Sequence, residues 1–141
     1  MQLCRLIYSS YANDDLTYQD LKEIMAKSES NNQADGITGL LCYGDGMFLQ
    51  ILEGNRQKVS KTYHRIASDH RHHTPALIEC ISIENRLFGT WSMRAVKLGE
   101  LNNEVIRNLI LKYSESTTFE PQFMSPQQCL SFMEEMAVLL A

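Results

Sequence analysis

The chain has 141 residues, 44% of them hydrophobic and 21% charged, with a formal net charge of −4. That length suits one domain that buries about two-thirds of its unfolded surface, so no metal or disulfide staple is needed to hold it. The acidic balance argues against a nucleic-acid binder held by phosphate contacts, and no apolar run reaches the ~20 residues that span a bilayer. Cys4, Cys42, Cys80 and Cys129 lie far apart, and the first three sit in apolar strand-like runs where cysteine behaves as a small buried hydrophobe. This usage suits a reducing cytoplasm better than a disulfide framework. The N-terminus lacks a charged leader followed by a long apolar region, so the expectation is a soluble, cytoplasmic protein with no signal peptide.

Leu3 to Ser9 reads as a strand, followed by a polar loop over residues 11–16. Thr17 opens a helix with Asp20 three positions on, an imperfect capping box that places acid near the positive helix end. Leu21, Ile24, Met25 and Ser28 form its inner face, and the helix is expected to end near Asn31-Asn32. Asp35-Gly36 then turns the chain into two apolar runs, Ile37 to Tyr43 and Met47 to Leu52, joined by Gly44-Asp45-Gly46. Gly-Asp-Gly between short apolar runs predicts a hairpin, because glycine supplies the positive φ that tight turns require.

Asn55 caps a second amphipathic helix with Val59, Tyr63, Ile66 and Ala67 inside, and Thr74-Pro75 marks its expected end. Ala76 to Ile83 is a fourth strand; Ser92 to Leu98, after a loop carrying Phe88, Gly89 and Trp91, is a fifth. The order β-α-β-β-α-β-β predicts a ferredoxin-like α+β sandwich on a mixed sheet, with both helices on one face. Two further helices follow. One starts at Asn102 or Asn103 and carries Val105, Ile106, Leu109, Ile110 and Tyr113. The other is announced by Ser125-Pro126-Gln127-Gln128, with Ser as cap and Pro at the first helical position. They are placed over the sheet face that the first two helices leave open, giving a division into residues 1–98 and a helical extension, 99–141.

Three polar residues stand where apolar ones are expected. Tyr8 lies towards the end of the first strand, Gln50 interrupts Phe48, Leu49, Ile51 and Leu52 on the third, and Asn32 closes the first helix. A buried amide without partners costs about 1–3 kcal/mol, so Gln50 must be bonded to something. A phenol and two amides converging on an apolar slot suit a flat heteroaromatic ligand better than a phosphate or a metal. His64, His70, His72 and His73 beside Asp69 match no standard zinc spacing and read as solvated. Glu53, Glu79 and Glu84 read as solvated strand residues, and no serine or cysteine has the surroundings of an activated nucleophile.

Leu-Ile-Tyr8-Ser-Ser, Asn31-Asn32 followed by Gly36-Ile-Thr-Gly-Leu-Leu-Cys-Tyr, and Phe48-Leu-Gln50-Ile-Leu-Glu-Gly together resemble the BLUF family of flavin-binding blue-light sensors. Tyr63-His-Arg65-Ile66 and Trp91-Ser-Met93 extend the resemblance, which covers about residues 1–98. The two terminal helices are similar to those of its short cyanobacterial, PixD-like members. The resemblance implies a non-covalent flavin, FAD first and FMN as the alternative, between Ile24 and Ile66. It implies Asn32 on the pyrimidine edge, with Asn31, Arg65 and Asp69 towards the ribityl and phosphate end. It further implies that excited flavin takes an electron and a proton from Tyr8, and that recombination leaves the Gln50 amide rotated or tautomerised. Trp91, Ser92 and Met93 become the relay. No catalytic turnover is implied; output passes through a response-regulator-like partner and ring-like homo-oligomers such as a decamer, without membrane or nucleic acid. The terminal helices, Met133 and Met136 included, supply either contact surface or core. Two other readings share the strand order: a small acylphosphatase-like hydrolase, which lacks its anion-binding loop here, and an RNA-recognition-type module, which the apolar third strand and acidic charge disfavour.

Overall fold

A computed structural model describes residues 2–141. Five strands, β1 (Leu3–Ala12), β2 (Thr38–Gly44), β3 (Met47–Asn55), β4 (His72–Ile83) and β5 (Arg94–Lys97), form one sheet in the order β4-β1-β3-β2-β5. All neighbours are antiparallel except β2 and β5, which are parallel, so the sheet is mixed as expected. Helices α1 (Tyr18–Asp35) and α2 (Arg56–Ala67) pack on one face, and α3 (Asn103–Ser114) and α4 (Pro126–Leu140) on the other. The ferredoxin-like α+β arrangement with two added helices is what forms.

Two separate apolar clusters follow from strand alternation. Leu6, Tyr8, Leu41, Phe48 and Leu52 meet Leu21, Met25 and Val59 of α1 and α2. Ile7, Leu40, Leu49 and Ile51 meet Ile106, Leu109, Phe132, Met133 and Met136 of the terminal helices. Each such side chain, fully buried, stabilises by about 1.5–3 kcal/mol. Met133 and Met136 are wholly buried, so they fill the core and contribute no contact surface. Their helix starts as its sequence announces, with a complete capping box between Ser125 and Gln128.

Several boundaries differ from expectation, each for a physical reason. The Thr17–Asp20 capping box is complete, and α1 continues past Asn31-Asn32 to Asp35. Its terminator is Gly36, left-handed at φ 67, whose N–H returns to Asn32 and Gln33 carbonyls. β1 runs on to Ala12 because β3 and β4 both offer it partners there. Thr74-Pro75 does not end α2, which stops at Ala67; it lies inside β4. β4 is an edge strand, where proline's missing donor faces outward, and the register shifts beside Thr74, itself at φ 52. That edge also leaves Cys80 exposed rather than buried. β5 spans only Arg94–Lys97, with Trp91 to Met93 leading into it. Glu53 is fully buried rather than solvated, because Arg5, its directly opposed neighbour on β1, holds its carboxylate at 2.8 Å.

Candidate functional site

Tyr8 and Gln50 face each other in the β1–β3 register and point towards α1 and α2. The Tyr8 hydroxyl donates to Gln50 Oε1 at 2.5 Å, in a bond with both partners buried. Burial, with smaller contributions from nearby Tyr63 and Asp69, pushes the Tyr8 phenol far above its ordinary pKa, so it is neutral and carries a proton to give. Tyr63 packs on it with ring centroids 5.3 Å apart. The Gln50 amide nitrogen donates to Ser28 Oγ at 3.2 Å and to Met93 Sδ at 3.4 Å.

Ser28 sits one turn before Asn32 on α1 and accepts from Asn32 Nδ2 at 3.2 Å as well. Asn32 Oδ1, by contrast, is buried with no hydrogen-bond partner among the described residues. An orphaned acceptor of this kind costs about 1–3 kcal/mol unless a ligand supplies the donor. It borders a cavity of about 460 Å³, lined by Tyr8 and Gln50 at its floor and by Ile24 and Ile66 on its flanks. Asn31, Arg65 and Asp69 line the same cavity, together with Lys27, His70 and Arg71. The residues present fit a flavin: apolar walls for a flat ring, amides for its alternating carbonyl and N–H edge, and cationic side chains for a phosphorylated tail.

The Asp69 carboxylate is not free to meet a ligand alone. Arg71 donates to it from Nε at 3.0 Å, Nη2 at 2.7 Å and the backbone N–H at 2.9 Å. Those bonds hold its pKa down to about 2. His72, expected from the sequence to be solvated, instead braces the wall: Nε2 donates to the Ile66 carbonyl at 2.6 Å and Nδ1 meets Ser10 Oγ at 2.8 Å. No metal-holding group of His, Cys, Asp or Glu occurs among the described residues.

The structure thus brings Tyr8, Ile24, Asn31, Asn32, Gln50, Arg65, Ile66 and Asp69 to one cleft and separates the three relay residues. Met93 is buried on the cleft side and touches Gln50; Trp91 is half-buried and packs against the α3–α4 cluster; Ser92 is exposed. Sequence reading put Ser28 on the inner face of its helix without giving it a part in the site, and it gave Lys27, His70, Arg71 and His72 none either; Arg71 had no signal beyond its nearness to Asp69.

Residues 3–94 match the BLUF family, described as sensors of blue light using FAD. The chain is 30% identical over 96 residues to the blue light- and temperature-regulated antirepressor BluF of Escherichia coli, across 68% of this chain and 24% of that protein. It is 34% identical over 89 residues to photoactivated adenylate cyclase subunit alpha of Euglena gracilis, across 63% of this chain and 9% of that one. It therefore spans about a quarter or less of the length of these curated relatives. Among solved structures, the photo-activated state of BlsA superposes with a TM-score of 0.84 at 30% identity, covering 96% of this chain and 95% of that one. BlrB in its dark state, described as a BLUF protein, superposes at 0.77 and 25% identity, covering 99% and 98%. The hydrolase and RNA-module readings are set aside by these matches: the chain belongs to the BLUF family and is a flavin-using blue-light photoreceptor.

Proposed function

We propose that this chain senses light by rearranging the Gln50 amide, that Tyr8 drives the rearrangement, and that a protein partner reads it. The buried Tyr8–Gln50 bond in the wall of the cleft carries the reading. Bound flavin supplies blue-light absorption and, once excited, an electron acceptor. Ile24 and Ile66 hold its ring, Asn32 Oδ1 takes a ring N–H, and Arg65 with Asn31 faces the tail. Asp69 acts there through Arg71, fixing the guanidinium by two side-chain bonds. FAD is the cofactor the family uses, and FMN fits the same ring contacts.

A neutral phenol is the form that can lose an electron and a proton together. Once oxidised, Tyr8 becomes strongly acidic, and Gln50 Oε1 is the acceptor already bonded to it. An amide presents a donor and an acceptor on opposite sides, so rotation or tautomerisation exchanges what Tyr8, Ser28 and Met93 meet. Met93 is the first relay, and Trp91, on the other sheet face, the next. Residues 1–98 act as the sensing unit and 99–141 as the output extension, with a response-regulator-like partner and a ring-like homo-oligomer of PixD-like type, and without catalytic turnover. No described helix is long and apolar enough to cross a membrane.

The test is the absorption spectrum of the purified chain in darkness and after a blue flash. The reading expects a flavin spectrum that shifts slightly to the red and recovers in the dark. Bound flavin without a shift breaks the proposed photochemistry, and failure to take up flavin breaks the assignment of the cleft.

A further inference from the structure

Met93 reaches Gln50 at the end of a ten-residue segment, residues 84–93, that has no regular secondary structure. The segment runs from β4 to β5, which lie at opposite edges of the sheet, so it must cross beneath β1, β3 and β2. Such a span is mobile unless its backbone donors are captured. Here two consecutive donors, at Leu87 and Phe88, are captured by one side chain, and the Trp91 carbonyl accepts from the Gly39 N–H at 3.3 Å nearer the segment's end. Glu53 Oε1 accepts from the Phe88 N–H at 2.7 Å, and Oε2 from the Leu87 N–H at 3.2 Å and from Arg5 Nε at 2.8 Å. The carboxylate is wholly buried, and Arg5 is nearly so. Arg86 closes the other side, its Nη1 donating to the Gly36 carbonyl at 3.0 Å, Thr38 Oγ1 at 2.8 Å and the Glu53 carbonyl at 3.2 Å. Phe88 is then seated in the α3–α4 cluster, and the chain enters β5 with Met93 on the opposite face.

We propose that Glu53 is a positioning residue for the light switch: clamped by Arg5, it fixes the segment that delivers Met93 to Gln50. A buried ion pair is weak support for stability, since an apolar pair of similar volume often serves as well. Its value here is directional. A carboxylate offers two acceptor oxygens to two consecutive N–H groups, which a hydrophobic pair cannot do. The residue stands three positions after Gln50 on the same strand, so the clamp and the switch share one rigid support and face opposite sides of it. The inference rests on the proposed role of Gln50 and Met93, and its test separates the two.

Glu53→Gln alone strands the buried Arg5 charge, so the informative variant pairs it with Arg5→Met, leaving no buried charge. With methionine methyl groups isotopically labelled, the Met93 signal, assigned through Met93→Ala, is followed by NMR in darkness. The proposal expects that signal to move in Arg5→Met/Glu53→Gln, together with loss of amide exchange protection at Leu87 or Phe88, since glutamine keeps only one acceptor oxygen. An unmoved Met93 signal overturns it, whatever the photochemistry does. In the photocycle, the dark-recovery rate of the double variant changes by about threefold or more, and the change vanishes when Met93 is already alanine. A recovery rate within about twofold of the parent, or a change undiminished by Met93→Ala, overturns the link to the switch.

Discussion

On the α1–α2 face of the sheet, Tyr8 and Gln50 form a neutral pair across β1 and β3, bonded at 2.5 Å beside a cavity. Three residues along each strand, on the other face, Arg5 and Glu53 form an ion pair at 2.8 Å. Same strands, same register and similar burial give two devices with opposite behaviour. The neutral pair has one hydrogen bond between its members and an amide whose two ends are chemically different, so turning the amide over changes its partners without leaving a charge unpaired. The ionised pair has both carboxylate oxygens engaged, and any rearrangement leaves a charge buried and unpaired. One pair is suited to switch and the other to hold.

The largest effect should come from removing the switch itself. Gln50→Ala is expected to bind flavin and fold, and to show no light-minus-dark difference at all; a normal photocycle there removes Gln50 from the mechanism. Removing one member of the holding pair should instead appear as lost stability. Glu53→Ala strands Arg5 in the core and should cost about 3–5 kcal/mol in urea unfolding, against far less for Arg5→Met/Glu53→Gln. If the single and double variants unfold alike, the pair is not clamped as described. Asn32→Ala leaves the switch intact and touches only ligand holding. Losing one buried ligand hydrogen bond should weaken flavin binding by about tenfold, at about 1.4 kcal/mol, measured by fluorescence titration, with the photocycle of the bound fraction retained.

The smallest effect is a pH dependence. Asp69 has its folded pKa depressed to about 2 by the Arg71 bonds. It therefore adds stability above its unfolded pKa, near 3.9, and loses it as pH falls through the folded value. In urea unfolding, stability should differ little between the parent and Asp69→Asn once pH falls to about 2, and the parent's advantage should grow as pH rises towards about 4. An advantage that instead grows as pH falls contradicts the assignment. The magnitude is modest because the carboxylate is partly solvated.

The switch was more legible in sequence than the clamp, and the reason is the kind of partner rather than its distance, since Tyr8 and Gln50 are themselves 42 residues apart. Tyr8 and Gln50 announce themselves as polar residues inside apolar runs, and the Gly44-Asp45-Gly46 turn fixes which strand carries Gln50. Glu53 follows Leu52 in the same way, yet its partners are Arg5, 48 residues away, and two backbone N–H groups 34 and 35 residues on. Backbone donors leave no mark in a sequence, so a buried carboxylate reads as a solvated one. Trp91 and Met93 failed to separate for a related reason: two residues apart, they would share a face in a regular strand, but β5 starts only at Arg94. Asn32 was placed correctly near the cleft but wrongly at the helix end, because the true terminator, Gly36, lies four residues later.

The most direct test of the account is the light-minus-dark spectrum of Tyr8→Phe, which keeps the ring and its packing and deletes only the donor to Gln50. The account predicts a protein that binds flavin with parent-like affinity, in which the red shift is lost. A red shift of normal size and recovery in Tyr8→Phe would contradict it.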